Sequence, residues 1–300
     1  MSLPDDIRVA CARVAGAARS VRIAEDALLE RYAATLPAES PPAPDLEPGA
    51  SQEARAAFSL TLNAVNFGSG WFPTLRKPTG LSGFRTVEAA LRAHGPWAAD
   101  DLVRIDVAEV AATFGQDPRH ELMGLFATAL QELGARVRDE HDGAFLALAR
   151  SGVGSAVALA QRLATWPTWQ DVSVYDREPV PFFKRAQIAA ADLHLSGIAE
   201  THDLAQLTLF ADNLVPHVLR LDGILEVDFG LVDRIGRETP LVHGSAVEVE
   251  LRACALHAVE RLVELHGGTT ATAVDNALWH RGGGARYKAV PRHRARTTAY

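Results

Sequence analysis

GSAVEVELRACALHAVERLVELH, residues 244–266, decides the fold class. Its opening, AVEVEL, alternates apolar and polar residues like a half-buried strand. Across the whole stretch, however, Val247, Leu251, Cys254, Ala258, Leu262 and Leu265 keep one helical face. The longer pattern outweighs the shorter, and the spacing predicts a helix over 245–266. Outward from it, the same periodicity predicts helices over 183–196 and 203–222 and, further back, over 84–94, 106–114, 119–139 and 154–165. Residues 4–36 read as one or two amphipathic helices.

Breaks between helices are equally legible. PAESPPAPDLEPGAS, residues 37–51, cannot run as helix. Ser51 then suits an N-cap, with Glu53 in the first turn to meet the helix dipole. Residues 66–83, NFGSGWFPTLRKPTGLSG, form a loop by their Gly, Pro and Ser content. Strand signal is confined to DVSVYDREPVPFF, residues 171–183, a small hairpin near 172–182. The chain is therefore mainly α. Residues 1–50 form a helical extension and a Pro-rich connector, and residues 51–300 one helical domain.

Bulk properties narrow the function. The 300 residues are 48% hydrophobic and 22% charged, with a net charge of −7. An acidic chain does not suit general nucleic-acid binding. Only Cys11 and Cys254 occur, which argues against a disulfide framework and for a reducing, cytoplasmic setting. No segment approaches the ~20 apolar residues of a membrane span. The familiar catalytic motifs are missing. HAVERLVELH lacks the spacing of a zinc helix, GSGWF lacks the P-loop Lys-Ser/Thr, and RGGGAR follows a helix rather than a strand. Asp192, His194, His202 and Asp203 are scattered in the manner of caps and solvated residues, so no metal and no cofactor is expected.

What remains unexplained is charge inside greasy helical patterns: Lys184 and Arg185 beside Phe183, and Asp212 within LTLFADNLVPHVL. Five pieces, NAVNFGSGWF, FFKRAQI, LTLFADNLVPHVL, GSAVEVELRACALHAVERL and LWHRGGGARYKAVPRHRARTTAY, occur in order from about residue 60 to the end. Together they resemble the queuosine salvage family, the queuosine 5′-phosphate N-glycosylase/hydrolases. That resemblance implies a helical fold similar to the helix-hairpin-helix DNA glycosylases. It also implies release of the 7-deazaguanine base queuine from a nucleotide left by tRNA turnover. It makes Asp212 and Lys184 the catalytic pair.

Breaking an N-glycosidic bond builds positive charge on the sugar, so a carboxylate beside C1′ suits the reaction. Asp212 takes that role. Lys184 either keeps Asp212 ionised or touches the sugar or phosphate. A 7-deazapurine has no N7 to protonate, so the base must be held by stacking and hydrogen bonds. Phe67, Trp71 and Phe183 are candidates for stacking, against ordinary core roles. Asn66 is a candidate for the base edge, against a helix C-cap. Arg185 and Asn213 join the binding candidates. Glu248 and Arg252 are also candidates, although their i,i+4 spacing equally suits a plain surface ion pair.

The acidic chain gathers Arg292, His293 and Arg294 in its tail, where they are expected to hold the 5′-phosphate. Where relatives often read Phe-Ala-Asp-Tyr-Arg-Val-Pro-Gln, this chain has Asn213, Leu214 and His217, so a contact from that Arg is lost. The expected partner is the nucleotide substrate alone, bound by a monomer without membrane or stable nucleic acid. The alternative is a helical protein that binds a nucleotide or base, or acts in repair, without this turnover.

Overall fold

A computed structural model describes residues 2–39 and 49–300. Along the chain run α1 (Leu3–Ala17), β1 (Val21–Ile23), α2 (Asp26–Ala33), α3 (Gln52–Ala64), α4 (Gly83–His94), α5 (Ala99–Arg104), α6 (Val107–Thr113) and α7 (Glu121–His141). There follow α8 (Phe145–Ala149), α9 (Ala156–Ala164), β2 (Val172–Tyr175), β3 (Glu178–Pro181), α10 (Lys184–Leu195), α11 (Leu214–Leu221) and β4 (Leu225–Val227). The chain ends in α12 (Phe229–Gly236), α13 (Ala246–His266), α14 (Ala271–Gly282) and α15 (Ala285–Lys288). The protein is mainly helical, with two small antiparallel sheets, β1–β4 and β2–β3. No described helix is long and apolar enough to cross a membrane.

The stretch at 244–266 is indeed helix. Its misleading alternation has a physical origin: α13 is buried on nearly every side in its first half, from Glu248 through Leu256. A helix surrounded by neighbours loses the polar stripe that normally marks its outer face. It packs against α1, α2, β1, α11 and α14. Leu265, at the end of the expected apolar face, is exposed instead. The N-terminal segment joins this packing through Arg8, which pairs with Glu260 at 2.8 Å, and through the Ser20 amide, which donates to Glu250 at 2.7 Å. Ser51 caps α3 by accepting from the Ala54 amide. Most of the Pro-rich connector lies outside the described residues.

Two expectations fail. Residues 203–222 are not one helix: a short 3-10 turn at Leu204–Gln206 is followed by extended chain and then by α11. The extended residues 207–211 are buried, and side chains replace the helical hydrogen bonds that backbone groups would otherwise lack. Gln187 Oε1 accepts the Thr208 amide at 2.9 Å, Asp275 Oδ1 accepts the Phe210 amide at 3.2 Å, and Arg252 Nε donates to the Ala211 carbonyl at 3.0 Å. The β1–β4 pair, Val21↔Val227 to Ile23↔Leu225, is a second small sheet outside the 171–183 stretch to which strand signal is confined, while residues 4–36 form two helices, α1 and α2, on either side of β1. Three residues per strand are too few to carry an alternation signal.

Candidate active site

The site grows from the junction of hairpin and helix. Phe183 takes a left-handed backbone (φ 49°) and caps α10. Such a conformation is costly outside glycine and persists where surroundings enforce it. Here Asp171 enforces it: its carbonyl accepts the Phe182 amide at 2.9 Å, and its carboxylate accepts the Lys184 amide at 3.0 Å. Lys184 thus becomes the first residue of α10, only 4% exposed. Its amine donates to the Asn66 carbonyl at 3.1 Å. Burial pushes its pKa from 10.5 down to about 8, against the pull of the Asp212 charge.

Asp212 sits at the end of the extended segment, just before α11. Its Oδ1 accepts the amides of Leu214 and Val215 at 2.7 and 3.2 Å, so the helix N-terminus steadies its negative charge. No described residue hydrogen-bonds Oδ2. Two further carboxylates surround the amine. Asp275, on α14, is pushed well above the usual carboxylate range by burial and then by the Asp212 charge. Asp192, two turns beyond Lys184 on α10, is raised by burial to about 6 while accepting from Asn63 Nδ2 at 2.9 Å.

The tail lies back on the body. Asn213 Nδ2 donates to the His293 carbonyl at 3.0 Å, the Leu241 amide to Arg294 O at 2.8 Å, and the Gly68 amide to Tyr300 O at 3.0 Å. Arg292 feels the Asp212 charge and makes no hydrogen bond or ion pair with any described residue. His293 is buried and held neutral, its pKa pushed down to about 3 by burial, and its Nε2 finds no partner among the described residues. Arg294 points elsewhere, 3.7 Å from Glu238.

Other candidates are committed to packing. Arg185 lies against the Phe67 and Trp169 rings and donates to the carbonyls of Ala64 and Thr168. Phe67 is 2% exposed and packs edge-on to Phe126. Trp71 donates from Nε1 to Glu121 at 2.7 Å. Phe183 alone of the three aromatics keeps partial exposure. The surface ion pair expected of Glu248 and Arg252 is corrected: both are fully buried. Burial opposes ionisation of Glu248, yet His243, Arg252 and the Gly244 amide bring its pKa down to about 2. Arg252 pairs principally with Asp171, at 2.7 Å.

Sequence reading missed Asp275, Asp171 and Asn63 altogether. Asp275 did leave a signal, a lone acid inside the apolar run ATAVDNALW.

A helical protein with an oriented carboxylate, a buried amine and an acid that burial pushes toward its protonated form has the parts of a glycosidic-bond enzyme. The sequence model of a family described as "Queuosine salvage protein" matches residues 46–300, and the chain belongs to that family. It is 34% identical over 269 residues to the queuosine 5′-phosphate N-glycosylase/hydrolase of Sphaerobacter thermophilus, covering 83% of this chain and 82% of that one. The proteins of the same name from Dictyostelium discoideum and Mus musculus are 29% and 30% identical. Those matches cover 67% and 57% of this chain, and 65% and 56% of the relatives.

Proposed function

We propose that this protein hydrolyses the N-glycosidic bond of queuosine 5′-phosphate and releases the base queuine. The observation that carries the reading is the Asp212 carboxylate, anchored by one oxygen on a helix N-terminus while no described residue hydrogen-bonds the other. As the bond from C1′ to the base nitrogen breaks, the electron pair leaves with the base and the sugar becomes oxocarbenium-like. Asp212 faces that charge and takes a proton from the water that adds to C1′. Asp275, raised toward its protonated form by burial, gives its proton to the departing base, and the proton that Asp212 takes from water returns to Asp275 through solvent before the next turnover. Lys184 keeps a positive charge beside Asp212. Products are the free base and ribose 5-phosphate.

Stacking falls to Phe183. Arg292 takes the 5′-phosphate, supported by its lack of a hydrogen-bond or ion-pair partner among the described residues and by the cost of leaving a guanidinium unpaired in a half-buried site. Arg292→Met should therefore lower kcat/KM for the nucleotide by about 30-fold, or ~2 kcal/mol. The free nucleoside should change by less than threefold. An equal loss on both substrates would remove Arg292 from phosphate recognition.

The reading goes with a monomer acting in the cytoplasm without a nucleic-acid partner. It is supported by the acidic charge of −7 and by the two buried free thiols. The direct test is incubation of purified protein with queuosine 5′-phosphate and chromatographic detection of free queuine. Tight binding of the nucleotide without base release would instead make this a base-binding protein.

A further inference from the structure

Arg252 touches the supports of both reactive groups. Its two terminal nitrogens fork onto Asp171 at 2.9 and 2.7 Å, and that same carboxylate accepts the Lys184 amide at 3.0 Å. Its Nε donates at 3.0 Å to the carbonyl of Ala211, the residue before Asp212. The Phe182 and Tyr300 rings lie 3.9 and 4.4 Å from its guanidinium carbon. The Tyr300 hydroxyl donates to Glu248 at 2.8 Å, and that carboxylate lies 3.9 Å from Arg252. The guanidinium is fully buried, so its orientation is fixed from every side.

We propose that Arg252 is a positioning residue that sets the separation between the Lys184 amine and the Asp212 carboxylate, an inference that rests on the reactive roles given to both above. The extended segment 207–211 has no ladder of its own to fix where Asp212 stands. A planar fork binds Asp171 with both arms while a third nitrogen holds Ala211. A lysine in its place reaches one of these at a time. An ion pair serving stability alone needs neither the third bond nor the ring packing, since apolar residues often replace buried pairs with little loss.

The test is Arg252→Lys, with Asp171→Asn as a second variant should the first not fold. Misplacement of catalytic groups should lower kcat about 30- to 100-fold with KM within about threefold. On a Lys184→Ala background the same change should cost less than about threefold, because an alignment already lost cannot be lost twice. The nucleotide-to-nucleoside preference, assigned to Arg292, should not move.

A second readout needs no substrate. The chain has three lysines, Lys77, Lys184 and Lys288, which peptide mass mapping separates. Acylation of buried Lys184 should speed up at least about fivefold relative to the other two when Arg252 is replaced. Full multiplication of the two kinetic losses, or unchanged Lys184 labelling in a folded variant, overturns the proposal. Should the wild type release no base from queuosine 5′-phosphate, the hydrolase reading fails by itself, and the labelling alone decides the clamp.

Discussion

Asp212→Asn lowers kcat for release of queuine from queuosine 5′-phosphate by about three orders of magnitude or more, a barrier increase of ~4 kcal/mol. Folding and most of the substrate affinity persist. The substitution is chosen for what it keeps. Asparagine retains an oxygen that accepts the Leu214 and Val215 amides, so α11 keeps its cap. In the proposed mechanism it removes the charge that faces the sugar and the base that receives the proton of water. Both matter chiefly in the transition state, so the loss should fall on kcat rather than KM. Single-turnover base release, with binding of queuosine 5′-phosphate to the Asn variant measured by calorimetry and the fold by circular dichroism, checks all three parts. A folded Asn variant within tenfold of wild-type kcat would sink the role of Asp212.

Much of the fold was legible because its signals are local. The 245–266 helix, the Ser51 cap and the 171–183 hairpin each depend on residues close in sequence. The failures share a different cause. Residues 207–211 avoid a helix only because Gln187, Asp275 and Arg252, distant in sequence, satisfy their backbone. Nothing in LTLFAD announces those partners. The site divides in the same way. Lys184 and Asp212 are singled out through the resemblance carried by FFKRAQI and LTLFADNLVPHVL, whereas helical spacing by itself leaves them ambiguous. Asp275 lies outside the motif pieces that drew attention, and its raised pKa arises from burial that no local pattern reports. Glu248 and Arg252 mark the limit of a spacing rule: four residues apart predicts that two side chains are neighbours, not whether water reaches them.

Lys184 marks the point where function and stability pull apart. Burial lowers its pKa from 10.5 to about 8, which amounts to ~3 kcal/mol against folding where the amine is charged in both states. That cost is complete below pH 8. Between about 8 and 10.5 the folded protein has shed a proton that the unfolded chain still binds, so wild-type stability rises with pH there. Above 10.5 the cost is gone. Lys184→Met, similar in length and apolar, should therefore raise Tm at pH 6.5 by about 4 °C, or ~2 kcal/mol. The net gain is smaller than the full cost because the Asn66 carbonyl loses its donor. The advantage over wild type should shrink as pH rises through 8 toward 10.5. The same variant should lose about 100-fold or more in kcat, since the amine's charge then no longer stands beside Asp212. In the wild type, kcat should fall on the alkaline side with an apparent pKa near 8, and the Met variant should lack that limb. Melting curves at several pH values and a pH–rate profile test both halves. A Met variant less stable than wild type at pH 6.5 would mean that the amine is a net structural asset through its bond to the Asn66 carbonyl. An alkaline limb that survives the substitution would assign the titration to another group.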